Sequence, residues 1–193
     1  FALPTHDLSG YKMVVAPSQY LLTEEGAENL TRYVENGGTL VVSFFAGVVN
    51  EFDAIHAGGF GAPLKRALGV WVEEHLPMRE GAKAQVRWAG ESLTVDVWQE
   101  ELVVTDAEVL GVYESGPGAG RPAITRNKLG AGTGWYISTR PDADGITAIM
   151  RAAYADAGIT PASFPERVES VRRQGAEADY VVLINHGDEE EKI

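Results

Sequence analysis

The sequence predicts an α/β fold built on a parallel strand pair with a helical crossover, and three neighbouring stretches carry that expectation. "YKMVVAP" (Tyr11 to Pro17) is a continuous apolar run closed by proline, the pattern of a strand covered on both faces. "TLVVSFF" (Thr39 to Phe45) is a second such run. Between them, "TEEGAENLTRYVENGG" opens on a capping oxygen and closes on paired glycines, as a helix does. Strand, helix and strand within about 35 residues make a βαβ unit with a right-handed crossover.

The helix is justified residue by residue. Thr23 offers a side-chain oxygen at the N-cap, and Glu24 and Glu25 sit where the macrodipole favours negative charge. Ala27, Leu30, Tyr33 and Val34 form the apolar stripe, and Gly37 and Gly38 supply the left-handed stop. The second strand leads into a loop, Ala46 to Gly61, that carries Asn50, Glu51, Asp53 and His56. "APLKRALG" reads as a short helix with Pro63 in its first turn and Gly69 past its end. "VWVEEHL" begins another strand.

From Gln85 the pattern changes to antiparallel. "AQVRWAG" and "ESLTVDVW" alternate around Ala89-Gly90-Glu91 like a hairpin, and "AEVLGVYE" (Ala107 to Glu114) reads as a strand. "PAITRNKLGAGTGWYISTRP" holds two strands around the turn Gly130 to Gly134. Asp142 caps a final helix whose Ile146, Ile149, Met150, Ala153 and Ala157 share a face, ended by Gly158. "TPASFP" is linker-like, and "VESVRRQGAEADYVVLINH" reads as a hairpin of a separate all-β unit.

Bulk properties narrow the function. A length of 193 residues suits one domain plus a piece of another. The formal charge of −12 argues against nucleic acid or an anionic membrane as partner, whereas a neutral sugar is indifferent to it. No apolar run approaches the ~20 residues of a membrane span. The chain has no cysteine, which removes disulfides, thiolate metal sites and cysteine nucleophiles together. The start at Phe1 and the end "INHGDEEEKI" both read as cuts inside a longer protein.

Candidate chemistry is sparse. "GGFGAPLKRALG" lacks the spacing and the Lys-Ser/Thr of a phosphate loop, and "GAGTG" lies between strands, so both read as turns. The pairs Glu24/Glu25, Glu73/Glu74 and Glu100/Glu101 and the run Glu189 to Glu191 read as solvated surface. A glycosidase needs two carboxylates roughly 5–9 Å apart across a pocket. Adjacent strand residues point to opposite faces, so Glu73 and Glu74 cannot serve as that pair. His6, His56, His75 and His186 are scattered, and no metal or cofactor is expected. Ser18 and Ser43 lack a G-x-S-x-G elbow. Among the four tryptophans, Trp88 and Trp98 are candidates for stacking on a sugar ring, against a plainer role as core or interface anchors.

Three-layer α/β folds with strands that end as at Pro17 and Gly47 include the class I glutamine amidotransferases, whose cysteine is missing here. A closer likeness lies in "DLSGYKMVVAPSQYLLTEEGAENLTRYVENGGTLVVSFFAGVVNEFD", "GGFGAPLKRALGVWVEE", "VDVWQEEL", "VLGVYESG" and "PAITRNKLGAGTGWYIST". These blocks, in this order from Asp7 to about Ile159, resemble the middle domain of glycoside hydrolase family 42 β-galactosidases. "VESVRR" and "YVVLINH" resemble the start of that family's C-terminal β-domain.

The resemblance implies a three-layer flavodoxin-like, class I glutamine amidotransferase-like sheet with added β-hairpins. It implies a middle domain over residues 1–160, a linker over 161–165 and the start of a β-domain over 166–193. The family's catalytic glutamates lie in a (β/α)₈ barrel upstream of Phe1, so the chain is expected to be a non-catalytic trimerisation domain. The resemblance implies that its parent would hydrolyse terminal non-reducing β-D-galactosides with retention. A first strand and helix are implied before Phe1, which would leave a sheet edge open. The partners implied are the parent's own barrel and two further copies, in the cytoplasm, with Glu51, Asp53 and His56 on the contacting loop. The alternatives are a stand-alone carbohydrate-binding module using Trp88 or Trp98, and a fragment that itself hydrolyses through Glu51, Asp53 or Glu101.

Overall fold

The computed structural model describes residues 2–161, 164–165 and 167–192. It divides into two units, Phe1–Ile159 and Thr160–Ile193. Of the linker expected over 161–165, residues 162 and 163 lie outside the described residues.

In the first unit, β1 (Met13–Ala16) runs parallel to β2 (Thr39–Ser43) and is joined to it by α1 (Glu24–Glu35). Thr23 Oγ1 accepts the Gly26 N–H at 3.0 Å, as the cap requires, and Ala27, Leu30, Tyr33 and Val34 are buried. Leu64, Ala67 and Leu68 of the short segment formed by the 3₁₀ turn Ala62–Leu64 and α2 (Lys65–Leu68) are buried as well. Gly69 ends α2 with φ +65°, and a Cβ there would lie 2.6 Å from the Ala107 nitrogen, so the position needs glycine on both counts.

Four antiparallel elements extend the sheet: β4 (Lys83–Trp88), β5 (Glu91–Asp96), β7 (Glu108–Tyr113) and β8 (Pro122–Leu129). With β9 (Gly132–Ile137) and β10 (Arg140–Pro141) they give the order β1-β2-β9-β8-β7-β4-β5-β10, in which β9 is parallel to β2. The β4–β5 hairpin turns on Ala89 and Gly90, both at positive φ, the two-residue geometry that matches strand twist. Only two residues lie between Ile137, at the end of β9, and Arg140, which pairs with Asp96 of β5. That span reaches about 10 Å, whereas the four ladder steps from β9 to β5 would cover about 19 Å in a flat sheet. The sheet therefore curls.

Its two faces are both covered. Along β2, Leu40 and Val42 join Leu30 and Val34 of α1, while Val41 faces Trp135 and Ile149. Ile149 belongs to α3 (Ala143–Asp156), where Asp142 Oδ1 accepts the Gly145 N–H at 2.9 Å. Ile146, expected on the buried face of that helix, is 37% exposed; Ile149 and Ala153 form its buried contact.

β1 departs from the expectation of a strand covered on both sides. It ends the sheet with a single neighbour, and Val15 is 47% exposed. A second departure is the ribbon of β3 (Val70–Pro77) and β6 (Trp98–Val104), which lies outside the main sheet. Its register shifts between Val72 and Glu74, so a bulge interrupts the alternation there, and Glu73 and Glu74 are both exposed.

The second unit holds the hairpin of β11 (Val168–Gln174) and β12 (Asp179–Asn185), paired from Val168↔Asn185 to Gln174↔Asp179. Every residue of β12 is exposed.

Candidate functional site

The carboxyl end of β2 is the most chemically constrained place in the first unit. Ser18 and Phe45, just beyond β1 and β2, both have left-handed backbones, at φ +44° and +60°. Such a conformation is costly for a bulky residue and persists only where its surroundings over-determine it. At Ser18, the backbone N–H donates to Ser43 Oγ at 2.8 Å. At Phe45, the N–H donates to Glu100 Oε1 at 2.9 Å.

Glu100 corrects the reading of this carboxylate as solvated surface: it is 0% exposed. The strand expected through Trp98 ends at Asp96 instead; after Val97, at φ +64°, the separate strand β6 begins and carries Glu100 under the end of β2. Its Oε1 also accepts the Trp98 indole N–H at 3.1 Å, and its Oε2 accepts the Tyr136 hydroxyl at 2.6 Å. Burial pushes the Glu100 carboxyl up to about 7, against the three hydrogen bonds that favour its ionised form.

His75 pairs in register with Glu100 across the β3–β6 ribbon, its Nε2 3.6 Å from Oε1. That is beyond a hydrogen bond, and Nε2 is buried without a partner among the described residues. Two opposite charges so close would hold the glutamate down and the histidine up, but burial dominates both groups and drives them the other way, His75 being lowered. Aromatic rings close the cluster. Phe60 stacks on His75 at 4.1 Å between centroids, Phe45 lies 5.4 Å and Trp98 5.3 Å from it, and Tyr20 stacks on Phe45 at 5.1 Å.

The loop bearing Glu51, Asp53 and His56 lies next to this cluster in the chain. Asn50 Oδ1 accepts the N–H groups of Phe52 and Ala54, at 3.0 and 3.1 Å, and Asp53 takes φ +58°, so the tip is a tight Asx-type turn. Glu51 and Asp53 are exposed. His56 points inward, with Nε2–H donating to the Leu22 carbonyl at 2.8 Å, and so anchors the loop to the chain before α1. Phe52 and Ile55 on the same loop are 81% and 65% exposed.

The two tryptophans separate. Trp88 is only 9% exposed and packs on Trp135 at 6.0 Å, which makes it a core residue and leaves little of its ring for a sugar. Trp98 is half-buried, with its indole N–H committed to Glu100. Glu101 pairs with Arg121 on the other side of β6. Sequence reasoning missed Glu100, His75 and Phe45 as one cluster. The usable signal was the alternation "VWQEELVV", which continues a strand through both glutamates.

Residues 1–160 match the β-galactosidase trimerisation domain. The chain belongs to that family. Along 191 residues it is 38% identical to the β-galactosidase BgaB of Geobacillus kaustophilus, covering 98% of this chain and 28% of that protein. The crystal structure of a β-galactosidase from Bacillus circulans sp. alkalophilus superposes with a TM-score of 0.90 at 33% identity, over 96% of this chain and 29% of the other. A cold-adapted β-galactosidase from Rahnella sp. R3 gives 0.89 at 28% identity, over 95% and 28%. The trimerisation domain thus spans under a third of the length of the relatives it matches. Among the described residues, no helix is long and apolar enough to cross a membrane.

Proposed function

We propose that this chain is the assembly domain of a larger β-galactosidase, and that catalysis resides elsewhere in the parent. The observation that carries this reading is the trimerisation-domain match over 1–160 in a chain that corresponds to 28% of BgaB. The carboxylates at hand support it: Glu51 and Asp53 sit on an exposed tip, Glu101 is tied to Arg121, and Glu100 is enclosed by donors. The parent would hydrolyse terminal β-D-galactosides with retention, using two glutamates of its own barrel.

The finer fold fits this reading. Parallel β1, β2 and β9 with helices on both faces favour a flavodoxin-like, amidotransferase-type sheet. The left-handed residue after β2 stands where such folds place a nucleophile, but the residue is Phe45 and the chain has no cysteine. The contacting surface in this reading is the loop from Ala46 to Gly61, with Phe52 and Ile55 as apolar anchors and Glu51 and Asp53 at their rim. Its partners are the parent's barrel and further copies of the chain.

Light scattering after gel filtration, over a range of concentrations, tests the reading. A mass near three times 20.8 kDa is the expected result. A monomer at every concentration would place the trimer contacts outside this domain. Turnover of a nitrophenyl galactoside, lost on changing Glu51, Asp53 or Glu101, would overturn the non-catalytic role.

A further inference from the structure

The cluster beneath the end of β2 contains more than assembly requires. A left-handed phenylalanine is held by a fully buried carboxylate, and a histidine with an unused ring nitrogen stands 3.6 Å from the same oxygen. The five residues come from four places in the fold: Phe45 after β2, His75 on β3, Trp98 and Glu100 on β6, and Tyr136 on β9. We propose that Glu100 and His75 form a proton-operated latch on the bend at Phe45, which sets the aromatic surface made by Tyr20, Phe45, Phe60 and Trp98. Phe60 is the one member of this surface on the contacting loop Ala46 to Gly61, so a link from the latch to docking rests on the assembly reading above; the latch itself does not.

The hydrogen-bond inventory gives the mechanism. With both groups deprotonated, Oε1 holds the Phe45 and Trp98 N–H groups with full charge. A proton on Oε2 reverses the bond to Tyr136, so that Glu100 donates to the phenol oxygen, and leaves Oε1 a neutral carbonyl. A proton on His75 Nε2 creates a third donor beside Oε1, which already serves two. Either protonation weakens the tie to Phe45. Replacing a charged acceptor by a neutral one lowers the closed-to-open ratio about tenfold.

Other ionisable groups around the cluster do not compete for the proton. From β9, Tyr136 bonds Oε2, and from β7, Tyr113 accepts the Glu100 N–H through its hydroxyl at 3.4 Å. Burial raises both phenols far above neutrality, so they stay protonated. On β6, Glu101 is engaged by Arg121, and on β3, Glu74 is exposed in register with Glu101. Burial brings the Glu100 carboxyl to about 7, within reach of ordinary conditions.

Nitrogen–proton correlation spectra of the 193-residue chain test the latch, recorded from about pH 5 to about pH 8. The Phe45 amide and the Trp98 indole N–H should shift together with a midpoint near 7. Glu100→Gln should flatten both curves. His75→Phe, which keeps the stack on Phe60, should leave one curve with a displaced midpoint. Signals that stay fixed in the unaltered chain, or that titrate equally well in Glu100→Gln, would overturn the latch. Solution mass along the same titration separates the two readings. Titrating signals in a chain that never associates would uphold the latch against the assembly role, and fixed signals in an associating chain would remove the latch alone.

Discussion

The Glu100 carboxylate accepts the backbone N–H of Phe45 at 2.9 Å, across 55 positions of sequence. This bond ties the separate β3–β6 ribbon to the end of β2, because Glu100 lies on β6 and Phe45 follows β2. A bulky residue at φ +60° is stable only while something pays for its strain, and the buried carboxylate is the group in contact with it.

Removing the carboxylate should therefore be costly. Glu100→Ala leaves the Phe45 N–H, the Trp98 indole and the Tyr136 hydroxyl without their acceptor. Orphaned buried donors cost about 1–3 kcal/mol each, and because they share one site the expected total is about 3–5 kcal/mol. Glu100→Gln keeps an acceptor and should lose only about 1–2 kcal/mol. Urea midpoints of the two variants check the ordering. Equally small losses would mean that the cluster does not depend on this side chain.

The pH dependence of stability has two opposed parts. Glu100 titrates near 7 when folded against 4.5 unperturbed, so between those values the folded chain binds a proton that the unfolded chain lacks. Its burial penalty is full above 7 and fades as pH falls toward 4.5, which stabilises the fold on acidification. His75 is lowered from 6.5, so the unfolded chain takes its proton first and the fold loses stability as pH drops below 6.5. His75→Phe should then grow more stable as pH falls through this window, and Glu100→Gln less stable. Denaturant midpoints from about pH 5 to about pH 8 give both slopes. The same sign in both variants would show that other groups dominate.

Local chemistry made much of this fold legible. The Thr23 and Asp142 caps, the stop of α1 at its glycines and the Ala89-Gly90 turn each depend on a few adjacent residues, and all form. Three features depended on distant partners instead. The β1 run reads as a buried strand, but how many neighbours it has is set by the sheet and not by Met13–Ala16. Glu100 reads as half of a solvated acidic pair, because its donors come from Phe45 and Tyr136, far along the chain, as well as from Trp98. Alternation placed Trp88 correctly in a hairpin, but only Trp135 on the neighbouring surface decides that its ring belongs to the core.

The open edge of β1 predicts a solubility phenotype. Val15 is exposed on a strand with a free row of backbone donors and acceptors, the arrangement that templates edge-to-edge association. Val15→Lys should reduce concentration-dependent turbidity while changing stability by no more than about 0.5 kcal/mol. A loss of several times that amount would mean that the side chain packs more than its exposure indicates.

The loop tip gives the sharpest test of docking. Phe52 and Ile55 are held outward by the Asn50 turn and make no contribution to either buried core cluster, so replacing them leaves the fold intact. Apolar anchors at the centre of an interface carry about 2 kcal/mol or more each. Phe52→Ser together with Ile55→Ser should thus weaken self-association at least about tenfold, with urea midpoints unchanged. Glu51→Gln and Asp53→Asn sit at the rim of the same surface and should alter mainly the salt dependence. Unchanged association in the double serine variant would move the contact away from this loop. The face carrying Tyr20 and Leu21 would be next, since both are exposed and Leu21 bridges to Val49 at the base of the loop.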